Sequence, residues 1–226
     1  MNKPISVSSV VQFPEKPWMQ SWVVRLMKGE YPAWDKGTEP TEVRTFAQQI
    51  GSVFHVLVQK ELGFTVTPRM LNAANKAILD EEIAVRAYHS LELWQDWYKQ
   101  VPERKFQGVE IDLSDTELGI SGRCDAIMLE QGKRVVIDWK TGGELHEADA
   151  LELSTYCWLA SRKYHYPVVR GLLVHCPYEG TKVGIVELRE ASIVKGAATF
   201  EALLAAKVRW NDWANLCSSG IKIARG

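Results

Sequence analysis

The chain has 226 residues, of which 46% are hydrophobic and 24% are charged. This size and composition predict one globular domain with a sizeable core, and they leave too little chain for two full domains. The formal net charge of -1 excludes a global basic field. Any contact with nucleic acid therefore has to come from a local patch of lysine and arginine.

The first residues lack the pattern of a secretory signal, and no stretch approaches ~18 consecutive apolar residues. We therefore expect a soluble intracellular protein without membrane contact. If the protein is bacterial or encoded by a phage, we expect it in the cytoplasm. The four cysteines are widely spaced and form no C-x-x-C pair, so they indicate neither a zinc site nor an iron–sulfur cluster. We expect free thiols at Cys124, Cys157, Cys176 and Cys217.

The first half of the chain has helical periodicity. Residues 41–62 carry one apolar stripe at three-and-four spacing, which predicts an amphipathic helix that Thr41 caps. Residues 70–100 predict either one long helix or two shorter ones. The pattern changes near residue 105, so we expect a helical N-terminal portion over residues 1–105.

Strand-like alternation begins at Phe106. The segments 106–113, 118–129 and 133–140 predict an antiparallel meander with short turns between its strands. The remaining elements are a helix, two strands and a closing helix, predicted over residues 146–164, 167–176, 181–188 and 191–216. The order strand, helix, strand favours a right-handed crossover packed on the sheet.

The last strand of the meander, in the sequence VVIDWKTGG, ends in two opposite charges. If residues 131–132 form the tip of a tight hairpin, Glu130 lies opposite Lys133 and Asp125 lies opposite Asp138. Directly opposed residues share one face of the sheet, with Cβ atoms roughly 5 Å apart. The sequence therefore predicts two carboxylates that face each other.

Lys140 follows two positions after Asp138 and points to the same face. An exposed strand tip would tolerate both residues, but like charges opposed across a ladder are destabilising. The matching register of Asp125 therefore favours a site that needs a cation. Two carboxylate oxygens suit Mg²⁺ or Mn²⁺.

Two helices carry further candidates for this site. His55 lies off the apolar stripe of its helix, with Gly51 one turn earlier on the same face. Glycine in a helix costs about 1 kcal/mol relative to alanine, which indicates a close neighbour at Gly51. A lone helical histidine is more often structural, but beside two carboxylates neutral imidazole is a good ligand. In the helix after the strand, Glu152 and Tyr156 share one face.

These residues form four motifs in a fixed order: Gly51-x-x-x-His55, Gly122-x-x-Asp125, Ile137-Asp138-Trp139-Lys140-Thr141-Gly142 and Glu152-x-x-x-Tyr156. With them the chain resembles the PD-(D/E)xK nuclease superfamily in its RecB-like exonuclease branch. It looks most like the small single-domain exonucleases of the mitochondrial genome maintenance type and their phage and bacterial relatives. The resemblance runs from about Ser6 to Trp213.

The resemblance implies an α/β fold with a restriction-endonuclease-like core, in which helices flank a mixed β-sheet. It implies one nuclease domain over residues 1–226, with the core in residues 106–226. The implied metal ligands are His55, Asp125, Asp138 and the backbone carbonyl of Trp139. Lys140 would orient or activate the attacking water and offset charge in the transition state.

The implied cofactor is Mg²⁺ or Mn²⁺, and the four-cysteine cluster of iron–sulfur relatives is missing. Thr141 and Tyr156 would contact phosphate, and Arg123 is a further candidate. Glu152 stands where the family usually has glutamine, which leaves its role in substrate binding open. Phosphate contacts could also come from Arg44, Lys60, Lys133, Arg134, Arg162 and Lys163, and base stacking from Trp18, Trp22, Trp94 and Trp97.

We expect a metal-dependent DNA exonuclease that prefers single-stranded DNA or frayed ends, with a role in DNA repair or recombination. Its partners would be DNA and proteins of recombination or replication. The same metal site would also serve a structure-selective or restriction-type endonuclease. A non-catalytic DNA-binding subunit is a third hypothesis, disfavoured because His55, Asp125, Asp138 and Lys140 are all present.

Overall fold

The structure is a computed structural model that describes residues 4–12, 46–100 and 105–218. Its helices are α1 (Val7–Val11), α2 (Phe46–Glu61), α3 (Pro68–Ala77), α4 (Glu81–Lys99), α5 (Glu147–Tyr164) and α6 (Glu190–Ser218). Its strands are β1 (Ile5–Ser6), β2 (Lys105–Asp112), β3 (Ile120–Ser121), β4 (Arg123–Glu130), β5 (Lys133–Lys140), β6 (Arg170–His175) and β7 (Gly184–Arg189).

The five longer strands form one mixed sheet in the order β2-β4-β5-β6-β7. The first three are antiparallel neighbours, as the predicted meander requires. Strands β5 and β6 are parallel and joined through α5, and β7 returns antiparallel to β6. Helices flank this mixed sheet, which confirms the predicted restriction-endonuclease-like fold class.

The β4–β5 hairpin has the predicted register. Glu130 pairs with Lys133 and Ala126 pairs with Ile137, so the next step along the ladder sets Asp125 opposite Asp138. The two tip residues, Gln131 and Gly132, both have positive φ, at 51° and 77°. This is the conformation of the tight hairpin turns that match the twist of the strands.

The segment predicted as one strand over residues 118–129 is interrupted at Gly122. Before the interruption, β3 pairs in parallel with β1, while only β4 joins the large sheet. A Cβ at Gly122 would lie 3.0 Å from Val7 Cγ2 and 3.3 Å from Tyr156 Cε1. The glycine therefore lets the N-terminal segment and α5 pack directly against the start of β4.

The N-terminal helices follow the predicted pattern, and the structure decides between one long helix and two shorter ones for residues 70–100. Residues 70–100 form two helices, because Asp80 Oδ1 accepts from the N–H groups of Glu82 and Ile83 and caps α4. The predicted cap of α2, Thr41, lies outside the described residues. Across the described part of the chain, none of the helices is long and apolar enough to cross a membrane.

The core covers both faces of the sheet. On one face Ile127 and Val136 pack with Leu153 of α5 and Phe200 of α6. On the other face Met128, Ile137 and Trp139 pack with residues of α2 and α4. Burial on both sides explains why β5 has a nearly continuous apolar run instead of strict alternation.

The prediction that Trp94 and Trp97 stack on bases is wrong. They are 0% and 4% exposed, because α4 turns this side toward the sheet. Trp94 meets the ring of Trp139 edge-on with centroids 6.1 Å apart and stacks on Tyr98 at 5.1 Å. Trp18 and Trp22 lie outside the described residues.

Three cysteines are buried, and two histidines contact backbone carbonyl groups. Cys124, Cys157 and Cys176 are buried free thiols, as expected, and burial raises the pKa of Cys176 to about 12. His175 Nε2 lies 2.6 Å from the carbonyl oxygen of Gly142, and His89 Nε2 lies 2.5 Å from that of Gly180. Both histidines therefore have backbone carbonyl partners in the fold.

Candidate metal centre

The predicted site residues converge where β5 leaves the sheet. Asp138 and Lys140 come from β5, Asp125 from β4 and His55 from α2. The chain just past the strand is fixed by two backbone bonds, from Cys176 N–H to the Lys140 carbonyl at 2.8 Å and from Tyr178 N–H to the Thr141 carbonyl at 3.2 Å. The end of the strand is thus a rigid support for its charged side chains.

Within the described residues, one imidazole and two carboxylates form a group that could hold a metal ion. His55 Nδ1 lies 3.3 Å from Asp125 Oδ1 and 3.6 Å from Glu110 Oε1. One ligand atom from each of the three residues lies within 4.8 Å of the other two. Nitrogen and carboxylate oxygen together suit Mn²⁺, and carboxylate oxygen suits Mg²⁺.

Glu110 is a member of this group that the sequence did not predict. It belongs to β2, whose pairing with β4 is irregular between Phe106 and Gly108, and its own φ is 50°. A residue with left-handed backbone in a strand interrupts the alternation of side chains between the two faces of the sheet. The face to which Glu110 points therefore cannot be predicted by counting along the strand. The only signal is an acidic residue among apolar ones in GVEID.

Asp138 meets Lys140 beside this group and is not a member of it. The carboxylate is 4% exposed, and Lys140 Nζ lies 2.9 Å from its Oδ2 in a buried ion pair. No other described residue donates to Asp138 Oδ2. Asp125 Oδ2 accepts from the N–H of Trp139 at 2.6 Å.

This donor set fits a divalent cation. Its chemistry is that of a divalent-metal site, because His55 offers a ring nitrogen and Glu110 and Asp125 offer carboxylate oxygens within 4.8 Å of one another. Burial and the charge of Asp125 raise the pKa of Asp138 to about 8. A cation next to the pair would remove the repulsion that this shift reports.

The protonation of His55 and Asp125 follows from the same charges. Burial by itself lowers the pKa of His55, but the charge of Asp125 and hydrogen bonds to Asp125 and Glu110 raise it to about 10. Burial opposes ionisation of Asp125, yet the neighbouring imidazolium lowers the pKa of this carboxyl. Without a cation, His55 and Asp138 therefore hold their protons to higher pH than a free imidazole and a free carboxyl group do.

The structure confirms that Gly51 has a close neighbour, as its position inside a helix predicts. A Cβ there would lie 3.4 Å from Thr141 Oγ1, so α2 approaches the end of β5 closely. Thr141 is 6% exposed. Its predicted contact with phosphate stays a prediction.

Glu152 and Tyr156 lie on the side of α5 that faces the strand end. Tyr156 OH donates to Glu152 Oε1 at 3.0 Å, and Glu152 Oε2 lies 3.1 Å from Lys140 Nζ. Burial and the charge of Glu152 raise the pKa of Tyr156, so its hydroxyl remains a donor at neutral pH. Both residues are therefore near the site, as the sequence predicts.

A cleft of about 370 Å³ lies beside Tyr156. Its polar lining includes Ser6, Ser8, Asp112, Ser121, Arg123 and Tyr156. The Arg123 side chain is 57% exposed, and its Nη1 lies 3.4 Å from Glu110 Oε2. Arg123 thus connects the cleft with the ligand group.

Three of the other predicted phosphate contacts have structural partners. Arg162 pairs with Asp115 at 2.7 Å and Glu117 at 3.3 Å. Lys163 donates to the carbonyl of Asp112. Arg134 lies over the ring of Tyr164, with the guanidinium carbon 4.6 Å from the ring centroid. Lys60 and Lys133 are exposed, whereas Arg44 lies outside the described residues.

We expect the affinity for Mn²⁺ to rise from about pH 6 to about pH 9. Metal binding requires neutral imidazole and ionised carboxylate, and the raised pKa values of His55 and Asp138 mean that protons compete with the cation below these values. Isothermal titration calorimetry across this pH range measures the effect, and buffers of different ionisation enthalpy measure the protons released.

The matched variant is His55→Ala. It removes one ligand and one competing proton, so we expect affinity at least about tenfold weaker and a shallower pH dependence. Binding of Mn²⁺ to the wild type that is independent of pH would contradict this interpretation of the site.

Comparisons with known proteins place the site in a family. The family model of the PD-(D/E)XK nuclease superfamily matches residues 32–225. No curated relative matches the chain. Among solved structures, SSO0001 is 21% identical with a TM-score of 0.33, covering 68% of this chain and 74% of that chain. LHK-Exo in complex with dAMP is 12% identical with a TM-score of 0.37, covering 95% of each chain.

Neither structural likeness is close enough to add to the assignment. The family match stands apart from them, because it spans most of the chain and its range includes the candidate ligands His55, Glu110, Asp125 and Asp138, together with Lys140. This chain therefore belongs to the PD-(D/E)XK nuclease superfamily.

Proposed function

We propose that this protein is a metal-dependent DNA exonuclease that hydrolyses phosphodiester bonds. The observation that carries the proposal is the group of His55, Glu110 and Asp125, with ligand atoms within 4.8 Å, beside the buried pair of Asp138 and Lys140. Membership of the superfamily supports a metal-dependent nuclease. The exonuclease activity and the DNA substrate go beyond what membership of the superfamily supports, and they are part of this proposal.

The cation would be held by His55, Asp125, Asp138 and the carbonyl of Trp139, with Glu110 as a further oxygen donor. Bound Mg²⁺ or Mn²⁺ would polarise the scissile phosphate and lower the pKa of a bound water. The identity of the cation is open between these two, because both accept carboxylate oxygens.

Lys140 would act through its positive charge. Burial opposes that charge, yet the neighbouring carboxylates, Asp138 first, hold its pKa well above the ordinary value. A lysine that stays protonated can donate to a water or to a phosphate oxygen and can stabilise negative charge in the transition state. It is a poor general base in this state.

The preference for single strands and free ends rests on the resemblance of the four motifs to the RecB-like branch. The cleft beside Tyr156, with exposed Arg123 on its wall, offers a place where one strand could pass the site. We propose that residues 1–226 form one nuclease domain of this kind. A role in DNA repair or recombination, with partner proteins of those processes, is part of the same proposal.

The variants Asp125→Asn and Asp138→Asn should each lower metal-dependent cleavage by at least about a hundredfold, because each removes a charged ligand. Glu110→Gln should weaken Mn²⁺ binding while it retains part of the cleavage. Cleavage of an end-labelled strand with Mg²⁺, Mn²⁺ or EDTA measures all three.

The control is Asp96→Asn, which removes an exposed carboxylate that pairs with Lys99 on α4. It should cleave like the wild type. Full activity in folded Asp138→Asn, checked by circular dichroism, would contradict the assignment of the site.

The proposal of an exonuclease predicts that linear single-stranded DNA is degraded and that covalently closed circles of the same sequence are spared. A free end is the feature that such an enzyme requires, whereas an endonuclease with the same metal site requires none. Gel analysis of both substrates over time distinguishes the two. Rapid nicking of circles would replace the exonuclease with the endonuclease.

A further inference from the structure

The N-terminal segment, residues 4–12, is built into the wall of the site. Strand β1 pairs with β3 through Ile5 and Ile120, and Val7, Val10 and Val11 of α1 are at most 4% exposed. The contact of Val7 with Gly122 locks the segment against the start of β4. Helix α1 therefore has a fixed position over α5.

This position brings Ser8 to Glu152. Ser8 Oγ donates to Glu152 Oε1, the oxygen that also accepts from Tyr156 OH. The other oxygen, Oε2, lies 3.1 Å from Lys140 Nζ. Two hydroxyl donors thus fix one oxygen of the carboxylate and leave the second to face the ammonium. Ser8 and Lys140 are connected through one side chain.

Lys140 has three acidic neighbours, and they are not equivalent. Its Nζ lies 2.9 Å from Asp138, 3.1 Å from Glu152 and 3.5 Å from Asp149. Asp138 is an expected metal ligand, so its charge is shared with the cation when one is bound. Asp149 is the farthest and also accepts from the N–H of His146 at 2.8 Å. Glu152 is the anchor whose other partners among the described residues, Ser8 and Tyr156, are uncharged hydroxyl donors.

We propose that Ser8 is a positioning residue of the catalytic centre, which holds Lys140 in place through Glu152. A lysine side chain has a flexible four-carbon stem, so its ammonium needs fixed acceptors to stay at one place. The effect on catalysis rests on the proposed nuclease function, whereas the link between Ser8 and Lys140 can be tested without it.

The experiment compares the full-length wild type with Ser8→Ala, Ser8→Thr and Ser9→Ala. Ser9 is the matched control on the same helix, because its Oγ donates to the Ser6 carbonyl at 2.8 Å. Loss of one hydrogen bond predicts a fall in kcat of about fivefold in Ser8→Ala, with KM for linear DNA and Mn²⁺ affinity unchanged. Ser8→Thr keeps a hydroxyl and should recover most of the loss.

A second readout does not depend on cleavage. Ammonium protons that are held in hydrogen bonds exchange slowly with water, so the Nζ signal of Lys140 should be visible by NMR in protein labelled with ¹⁵N-lysine. The variant Lys140→Arg assigns the signal. We expect it to persist in Ser9→Ala and to weaken or shift in Ser8→Ala.

If the wild type cleaves no DNA, the proposed function fails, and the Lys140 signal alone decides whether Ser8 positions the lysine. If Ser8→Ala does not fold, Glu152→Ala replaces it, with Glu152→Gln as its conservative partner. The glutamine can still accept from Lys140 and should lose less activity than the alanine. Wild-type kcat in Ser8→Ala, or an equal loss in Ser9→Ala, would overturn the proposal.

Discussion

The burial of two carboxylates beside each other is the constraint on which this site depends. Asp125 and Asp138 lie opposite each other at the end of a hairpin whose register is fixed by the pairing of Glu130 with Lys133. Burial and the charge of Asp125 raise the pKa of Asp138 to about 8. A protein keeps such a pair only where a positive charge can lie beside it.

Positive charge can come to this pair of carboxylates from three sources. Lys140 comes from the same strand face as Asp138, and His55 comes from α2, which approaches closely because Gly51 lacks a side chain. The third is the cation that the oxygens of Asp125 and Glu110 could bind together with His55. In this arrangement the proton on His55 and the metal exclude each other, so the site is coupled to pH.

Much of this arrangement could be predicted because it depends on local rules. A tight turn at residues 131–132 fixes the register of the hairpin, and the period of two in strands places Asp138 and Lys140 on one face. Glycine inside a helix indicated a close neighbour, which proved to be Thr141. The parallel pairing of β5 with β6 fits the predicted crossover, because a helix between two strands favours parallel pairing.

Other features depend on contacts that no local pattern contains. The left-handed backbone at Glu110 turns an acid of β2 toward the ligands. The pairing of Ile5 with Ile120 joins segments far apart in sequence and brings Ser8 to Glu152. The tryptophans of α4 were misassigned because aromatic residues suit both a core and a base-stacking surface, and only packing distinguishes the two.

The most direct measurement of the central claim is the anomalous scattering of Mn²⁺ in crystals grown or soaked with the cation. The account predicts one strong peak within about 2.0 to 2.3 Å of a His55 ring nitrogen and of oxygens of Asp125 and Asp138. The ammonium of Lys140 should remain next to Glu152 in the same crystals. A peak elsewhere, or Asp125 and Asp138 still without a bound cation at saturating Mn²⁺, would contradict the account.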